Sequence, residues 1–499
     1  MLKIAKGAGT SLLGSIIGRS LWFLCQVLIA RFLGANVFGL YILGLGVLKI
    51  TELFSRLGLH VGAMRFVAIY HKSAPERIKG ILISVSTISF ITGTLVGGLV
   101  YLAAGMISVS LFHKPELTAI LKTFSICIPF MSTMMVVATT TRGFHTAKYY
   151  VYIADLAQPV VNTILVIISI SLGLGVIGLI KAFIISYIIS LLVAFYLLVK
   201  EFPAIITKSV RIEYDIRTLL LYSFPLMLSG LLMFLVRWTD TIMLGLMKQS
   251  ADVGIYRAAS QIPIFLGLIL TAINSVYAPT IAQIHHQNEK ERLEKILKTT
   301  TRWIFLFTFP LVIILAFSSR EIISVFGNEF IAKGAPVLII ITLAQFINCI
   351  TGGVGIILGM TGKQNMLVIN SAVLVLVNIL LNVIFIPIYG CLGAAIASGI
   401  SIAGVNILRL IEVYFFYRIH PYNPSYFLGI MSGIISIIIL EFTTTLIHTD
   451  SNLITLLINT SIVLLCFILL YIHYADNEDD KFIITAIAGR LNHLIPRND

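Results

Sequence analysis

Charged side chains are scarce in this chain: Asp, Glu, Lys and Arg make up 11% of its 499 residues, against roughly 25% in a soluble globular domain. A chain so poor in charge cannot clothe a water-facing surface, which excludes an ordinary soluble fold. Cysteine is rarer still. The five present, Cys25, Cys127, Cys349, Cys391 and Cys466, lie far apart inside apolar stretches, so neither a disulfide framework nor a C-x-x-C metal site can be built from them. They read as small core residues. A Walker sequence, paired carboxylates of a hydrolytic cleft and a zinc-ligand spacing are all missing. Nothing therefore points to an enzyme, and the sequence assigns no catalytic residue, no metal ligand and no cofactor.

What fills the chain instead is hydrocarbon, with 58% of its residues hydrophobic. Apolar runs close to the roughly 20 residues that span a bilayer recur along the whole length. The stretch LITLLINTSIVLLCFILLYI (453 to 472) is continuously apolar, whereas strands of a transmembrane barrel are about 10 residues of alternating polarity. The fold class is thus an all-α polytopic membrane protein. About fourteen transmembrane helices are expected, near 10–33, 38–66, 80–106, 117–141, 150–173, 176–199, 217–247, 254–281, 300–319, 334–360, 365–387, 391–417, 426–447 and 453–473. The N-terminal run MLKIAKGAGTSLLGSIIGRSLWFLCQVLIA is too long for a signal-peptide core and has no A-x-A-like cleavage site. It is expected to remain as the first span.

The formal charge of +13 could suggest nucleic acid, but the basic residues are scattered over alternate connections rather than gathered into a domain. Topology explains them better, and no nucleic-acid partner is expected. The N-terminus and loops such as HKSAPERIKG, TRGFHTAK, KSVRIEYDIR and HHQNEKERLEKILK hold about 21 of the 35 basic residues, and the opposite side about four. Both termini are then cytoplasmic, in a multi-pass protein of the cytoplasmic (inner) membrane. The remaining ten or so basic residues fall within or at the ends of spans. Each costs roughly 2.5–3.5 kcal/mol at the centre of a membrane helix.

An internal repeat organises the chain. A shift of 215 residues lays GANVFGLYILG (34 to 44) onto KQSADVGIYRAA (248 to 259), pairing Gly39 with Gly254 and Tyr41 with Tyr256. At nearly the same offset RGFHTAK (142 to 148) meets GMTGK (359 to 363), and GVIGLIKA (175 to 182) meets GCLGAAIA (390 to 397). A constant offset in three places implies two six-helix halves. They are placed at 1–210 and 211–420, followed by two additional helices within 421–475 and a cytoplasmic tail, 476–499. Six is even, so the halves enter from the same side, as in transporters that rock two bundles about a central cavity.

The stretch FLVRWTDTIMLGL (234 to 246) puts ionised groups inside such a span. Arg237 and Asp240 share a helix face, yet their matched positions in the first half are Trp22 and Cys25, so the common plan does not require the charges. Asp155 is matched by Asn370, where a polar group can be structural. Lys49, Glu52 and Arg56 lie at i, i+3 and i+7 on one face of the second segment, with Glu52 able to pair with either base. Arg409 and Glu412 share a face of the twelfth. Any of these sets can be a local ion pair. Arg19 and Lys181 have no acid within one turn, and Lys181, early in its segment, is placed to snorkel to the interface. The substrate-binding candidates are Arg19, Lys49, Glu52, Arg56, Arg237 and Asp240. Further cavity candidates are Asp155, Lys181, Arg409 and Glu412. Arg31, Arg65, Lys122 and Arg257 sit near segment ends and read as interfacial.

The pattern D-x-x-x-L-G followed by V-G-x-Y-x-x-A, in DTIMLGLMKQSADVGIYRAA (240 to 259), resembles the seventh and eighth helices of the polysaccharide-type flippases. These belong to the multidrug/oligosaccharidyl-lipid/polysaccharide (MOP) superfamily, whose multidrug branch is MATE. ARFLGANVFGLY (30 to 41) is similar to the family's first-to-second helix turn, and GMTGKQNMLVINSAVLVLVNILLNVIFIPIYGCLGAAIAS (359 to 398) to its tenth-to-twelfth helices. The resemblance implies export of an undecaprenyl- or dolichyl-diphosphate-linked oligosaccharide, such as an O-antigen unit, by alternating access through a cationic central cavity. The lipid II flippase branch uses arginines in the first two helices, and Arg19 and Arg56 occupy similar regions here without a residue-by-residue match. Membrane lipids, and glycan polymerases or glycosyltransferases, are the partners this implies for a chain expected to act as a monomer.

Other readings stay open. An ion-coupled multidrug exporter would use carboxylates to bind H⁺ or Na⁺, and the surplus of bases over acids in the spans argues against it. A polymerase or glycosyltransferase would need a long external catalytic loop, and every external connection is short. Coupling to the membrane potential suits an anionic cargo: moving a charge of about −2 outward through 100 mV, inside negative, releases roughly 4.6 kcal/mol.

Overall fold

A computed structural model of the chain describes residues 2–71, 73–424, 426–446 and 451–474. The expected tail at 476–499 lies outside them. The described residues are helical almost throughout, with no strand among them. The reason is hydrocarbon, where every backbone N–H and C=O must find its partner within the same segment. Among the described residues twelve helices are long and apolar enough to cross a membrane, or thirteen when the bent pair Leu117–Ser125 and Ile128–Phe144 is taken as one span. The chain is a multi-pass membrane protein, and about fourteen spans were expected. The first of the twelve is a run of 57 residues, Gly14–Tyr70. A straight helix of that length would extend about 85 Å, nearly three times the hydrocarbon thickness. Gly34, at φ 74° and ψ 167°, breaks it, using backbone space open to a residue without Cβ.

The described residues form two compact units. One runs to Ala258 and includes Ile386–Cys391; the other comprises Ala259–Phe385 and the chain from Leu392 onward. The first unit contains α1 (Leu2–Arg56), α2 (Leu59–Tyr70), α3 (Pro75–Gly105), α4 (Leu117–Ser125), α5 (Ile128–Thr140), α6 (Lys148–Tyr150), α7 (Gln158–Ser171), α8 (Gly175–Glu201), α9 (Ile216–Met247) and α10 (Ser250–Ser260). A π-helical turn, Val151–Ala157, joins α6 to α7. The second unit holds α11 (Ile264–His286), α12 (Lys290–Phe317), α13 (Ser319–Ser324), α14 (Asn328–Ile350), α15 (Val354–Met360), most of α16 (Gln364–Tyr389) and α17 (Cys391–Tyr417), then α18 (Tyr426–Leu446) and α19 (Asn452–Tyr474). Packing therefore groups α9 and α10 with the helices before them, although the repeat counts them as the start of its second copy.

The repeat has a physical seam in the first unit. A Cβ on Gly39 would collide with the Ser250 carbonyl oxygen and lie 3.1 Å from the Gly254 nitrogen. One on Gly254 would collide with the Ala35 carbonyl and lie 3.1 Å from the Gly39 nitrogen. Residues 35 and 39 are the 215-shifted counterparts of 250 and 254, so the contact is reciprocal, as an axis of internal symmetry requires. Only glycine allows backbones this close.

Both ends of α9 are tied into the same unit. At its start Asp215 accepts from the Thr218 N–H at 3.3 Å, an N-cap. The preceding strand of linker is strapped to α3: Lys79, 5% exposed, donates to the Thr207 and Val210 carbonyls at 2.7 and 3.1 Å. Arg77 Nε meets Glu213 Oε1 at 2.8 Å. At the other end Lys114 Nζ donates to Gly245 O at 2.6 Å, Lys248 O at 3.0 Å and Phe112 O at 3.1 Å. These include orphan carbonyls of the helix C-terminus, where a cation is favoured. Burial pushes the Lys114 ammonium below the ordinary lysine pKa.

In the second unit α18 and α19 are anchored on α12 by aromatic packing, Phe305 to Tyr426 at 5.2 Å and Phe309 to Phe467 at 6.2 Å between ring centroids. A hydrogen bond from Asn459 Nδ2 to Ser318 Oγ, 3.1 Å, adds to it.

Candidate functional site

The C-terminal arm of α1 carries Lys49, Glu52 and Arg56. Arg56 Nε lies 2.8 Å from Glu52 Oε1, with the carboxylate side chain 3% exposed and the guanidinium 15%. Neither atom has an aligned hydrogen-bond partner, so the contact is a charge pair whose N–H does not point at the oxygen. Glu52 thus chooses Arg56 of its two possible neighbours. Lys49 has no ion pair or hydrogen bond among the described residues, and lies within electrostatic range of Glu52, Arg56 and Arg257.

On α9 the two charges of FLVRWTDTIMLGL part company. Arg237 is exposed and makes no ion pair among the described residues. Asp240 is 8% exposed and accepts a hydrogen bond from the Tyr256 hydroxyl at 2.6 Å. Sharing a helix face at i, i+3 permits a pair without enforcing one, and here the aspartate turns to α10. Trp238, between them in sequence, is 7% exposed, stacks on Phe234 at 6.1 Å and lies under the Arg257 guanidinium, 4.6 Å from the ring centroid. This cation–π contact places Arg257 in the group rather than at the interface. Arg257 is in electrostatic range of Arg237 and Tyr256.

A second group lies where the N-terminal arm of α1 meets the π-helical turn. Ser15 Oγ donates to Asp155 Oδ2 at 3.0 Å. Arg142 and Arg19 are both within electrostatic range of that carboxylate. Arg142 sits over Tyr150, its Cζ 3.5 Å from the ring centroid, and Tyr150 in turn is within range of Arg19 and Arg56. The two groups are therefore one connected network in the first unit. It holds six bases, Arg19, Lys49, Arg56, Arg142, Arg237 and Arg257, against three acids, Glu52, Asp155 and Asp240.

Arg19 and Arg237 are exposed within apolar spans. A cation facing lipid at depth is costly. Lys181 is also exposed, but stands in the second turn of α8 and belongs to no part of this network. In the second unit Arg409 and Glu412 are not ion-paired with each other: Arg409 Nη1 reaches Asn406 Oδ1 at 3.4 Å, and Glu412 accepts from Asn370 Nδ2 at 2.7 Å. Among the described residues no three metal-ligating side chains are gathered together.

Sequence reasoning missed Arg142, Arg257 and Arg302. Arg142 lies in a polar connection whose fold back onto Tyr150 leaves no periodic trace. Arg257 follows the Gly-x-Tyr motif directly, a signal that would have found it. Arg302, 2% exposed in α12, stands early in an apolar segment and looks there like a boundary residue.

Solved structures share this architecture. That of lipid II flippase MurJ in its inward closed conformation aligns with a TM-score of 0.73 over 93% of this chain and 98% of its own, at 18% identity. An inward-facing MATE family multidrug resistance transporter of the MOP superfamily aligns at 0.59 over 81% and 95%, at 14% identity. At such identities the likeness concerns the fold, which is that of the MOP superfamily. The sequence carries the assignment further: the chain belongs to the polysaccharide biosynthesis protein family, whose pattern it matches over residues 4–285, and residues 225–384 also match the MatE family. Among curated relatives, the probable low-salt glycan biosynthesis flippase Agl15 of Haloferax volcanii is 27% identical over 194 residues, 39% of this chain and 41% of that protein. The match thus spans less than half the length of that relative.

Proposed function

We propose that this protein is a flippase that carries a polyprenyl-diphosphate-linked oligosaccharide across the cytoplasmic membrane by alternating access. The observation that supports it is the surplus of bases in the network of the first unit, six against three. A surplus of fixed positive charge inside an apolar bundle is unfavourable unless an anion joins it, and a diphosphate supplies two or more negative charges with oxygens that match arginine forks. An organic-cation exporter would need the opposite balance. The prenyl chain stays in lipid while the headgroup crosses, and the membrane potential, H⁺ or Na⁺ supplies the drive. The protein acts as a monomer and receives its cargo from glycosyltransferases. Counting the two arms of the run broken at Gly34 as separate crossings, and the bent pair as one, gives fourteen crossings, an even number that sets both termini on one side; the basic loops support the cytoplasmic side.

The test is reconstitution of the purified protein into liposomes with polyprenyl-diphosphate-linked N-acetylglucosamine, following protection of the sugar from an external modifying enzyme. Wild type is expected to scramble the lipid at least tenfold faster than empty liposomes, and Arg19→Ala and Arg237→Ala to lose about tenfold of that rate at unchanged protein level, since one charge-assisted hydrogen bond is worth about 1.5–3 kcal/mol. Wild-type rates equal to empty liposomes would sink the proposal. In cells, single cysteines at Lys208 and Gln249 should label from the cytoplasm and from outside respectively; the reverse pattern overturns the orientation.

A further inference from the structure

The part of the network around Asp155 differs in chemistry from the rest. Around Lys49, Arg56, Arg237 and Arg257 the two carboxylates are engaged within the protein, Glu52 beside Arg56 and Asp240 under the Tyr256 hydroxyl, whereas here a single carboxylate is the central group. Its Oδ2 is held by Ser15 Oγ at 3.0 Å, and Oδ1 receives no hydrogen bond among the described residues. Arg142 and Arg19 are within electrostatic range of it, and Tyr150 lies beneath Arg142. The result is a fixed acceptor with two guanidinium groups in range and a hydroxyl at hand. An anion offers only acceptors and would be repelled by the carboxylate. A sugar hydroxyl is donor and acceptor at once, so a polyol can donate a hydrogen bond to Asp155 while accepting one from a neighbouring guanidinium.

The backbone holds the carboxylate in place. Asp155 is on the π-helical turn Val151–Ala157, a rare conformation that often marks functional sites. That turn is pressed into α1 at two glycines: a Cβ on Gly14 would collide with the Val151 side chain, and one on Gly18 would collide with the Asp155 carbonyl and lie 3.1 Å from its Cα. The matched Asn370 instead lies within the α-helix α16. The π turn and the carboxylate are thus particular to the first half of the repeat.

We infer that Asp155, Ser15, Arg142 and Tyr150 form a saccharide subsite, which holds the first sugar of the cargo beside the basic groups that hold its diphosphate. This rests on the transport reading above and adds to it which residues read the glycan. It also gives the carboxylate a purpose that diphosphate binding alone would not.

The experiment compares two lipids on the full-length protein in nanodiscs: polyprenyl diphosphate without sugar, and the same lipid bearing N-acetylglucosamine. Wild type is expected to bind the glycosylated lipid about tenfold more tightly, the scale of one hydrogen bond to a charged group. Asp155→Asn and Ser15→Ala should each erase most of that preference while leaving affinity for the bare diphosphate within about twofold, and Arg237→Ala should weaken both lipids alike. Using both Asp155→Asn and Ser15→Ala guards against one of them failing to fold. Equal loss for both lipids in the two variants, or no loss for either, overturns the subsite, as does a wild type without preference between the lipids. Wild-type protein that binds neither lipid removes the transport reading and the subsite with it.

Discussion

Asp155 in the first half of the repeat and Asn370 in the second occupy matched positions, and their surroundings differ in kind. Asp155 sits on a π-helical turn, takes a hydrogen bond from Ser15 and is within electrostatic range of two arginines. Asn370 sits on an ordinary α-helix and gives its hydrogen bond to Glu412 at 2.7 Å. At position 240 an aspartate accepts from the Tyr256 hydroxyl, where the matched Cys25 accepts from the Asn162 amide at 3.2 Å. One structural plan accepts a carboxylate, an amide or a thiol at such places, so packing does not dictate the charges of the first unit. Their accumulation there is what the transport reading proposed above accounts for.

The largest test of that contrast is the ion pair of α1 against the couple of α17. Arg56→Ala leaves Glu52 buried without its counter-charge, which should cost about 3–5 kcal/mol. Arg409→Ala removes a guanidinium with only a long contact to Asn406 and should cost less than about 1 kcal/mol. Thermal unfolding in detergent reads both, and equal losses would erase the distinction drawn between the units. A smaller effect separates the matched tyrosines. Tyr256→Phe strips the hydroxyl that donates to Asp240 and should cost about 1.5–3 kcal/mol. Tyr41→Phe, whose ring packs on Phe124 at 5.5 Å, should stay below about 1 kcal/mol. The smallest is expected at the opening pair itself: Asp155→Asn should leave the unfolding temperature almost unchanged, while Asn370→Asp sets a second carboxylate against Glu412 and should lower it by a few degrees. A collapse of Asp155→Asn in the same assay would make that carboxylate a structural necessity.

The membrane class and the all-helical fold could be read in advance because apolar runs of fixed length leave a long signal, and the offset of 215 recurring in three places pointed to stretches that meet. Gly39 and Gly254, matched on sequence, even prove to touch. Glu52 and Arg56 were legible as a pair because four residues along a helix fixes their neighbourhood. The direction of a single side chain is another matter. Arg237 and Asp240 share a face, yet Asp240 turns to Tyr256, sixteen residues on, and Arg237 is exposed. Arg142 came from a connection whose return to Tyr150 no periodicity records. Helical spacing reports which residues can meet along one helix, and the network here is mostly made between helices.

The strap over α3 has a consequence for how the protein is made. Lys79 donates to carbonyls that arrive 128 and 131 residues later in the chain. At about 5–20 residues synthesised per second, the ammonium waits roughly 6 to 26 s before those carbonyls exist. During that interval it can only remain in water at the membrane surface, where it pins the end of its span on one side. The same side chain then serves twice in the life of the molecule, first steering insertion and later, once residue 207 has left the ribosome, fastening the finished linker.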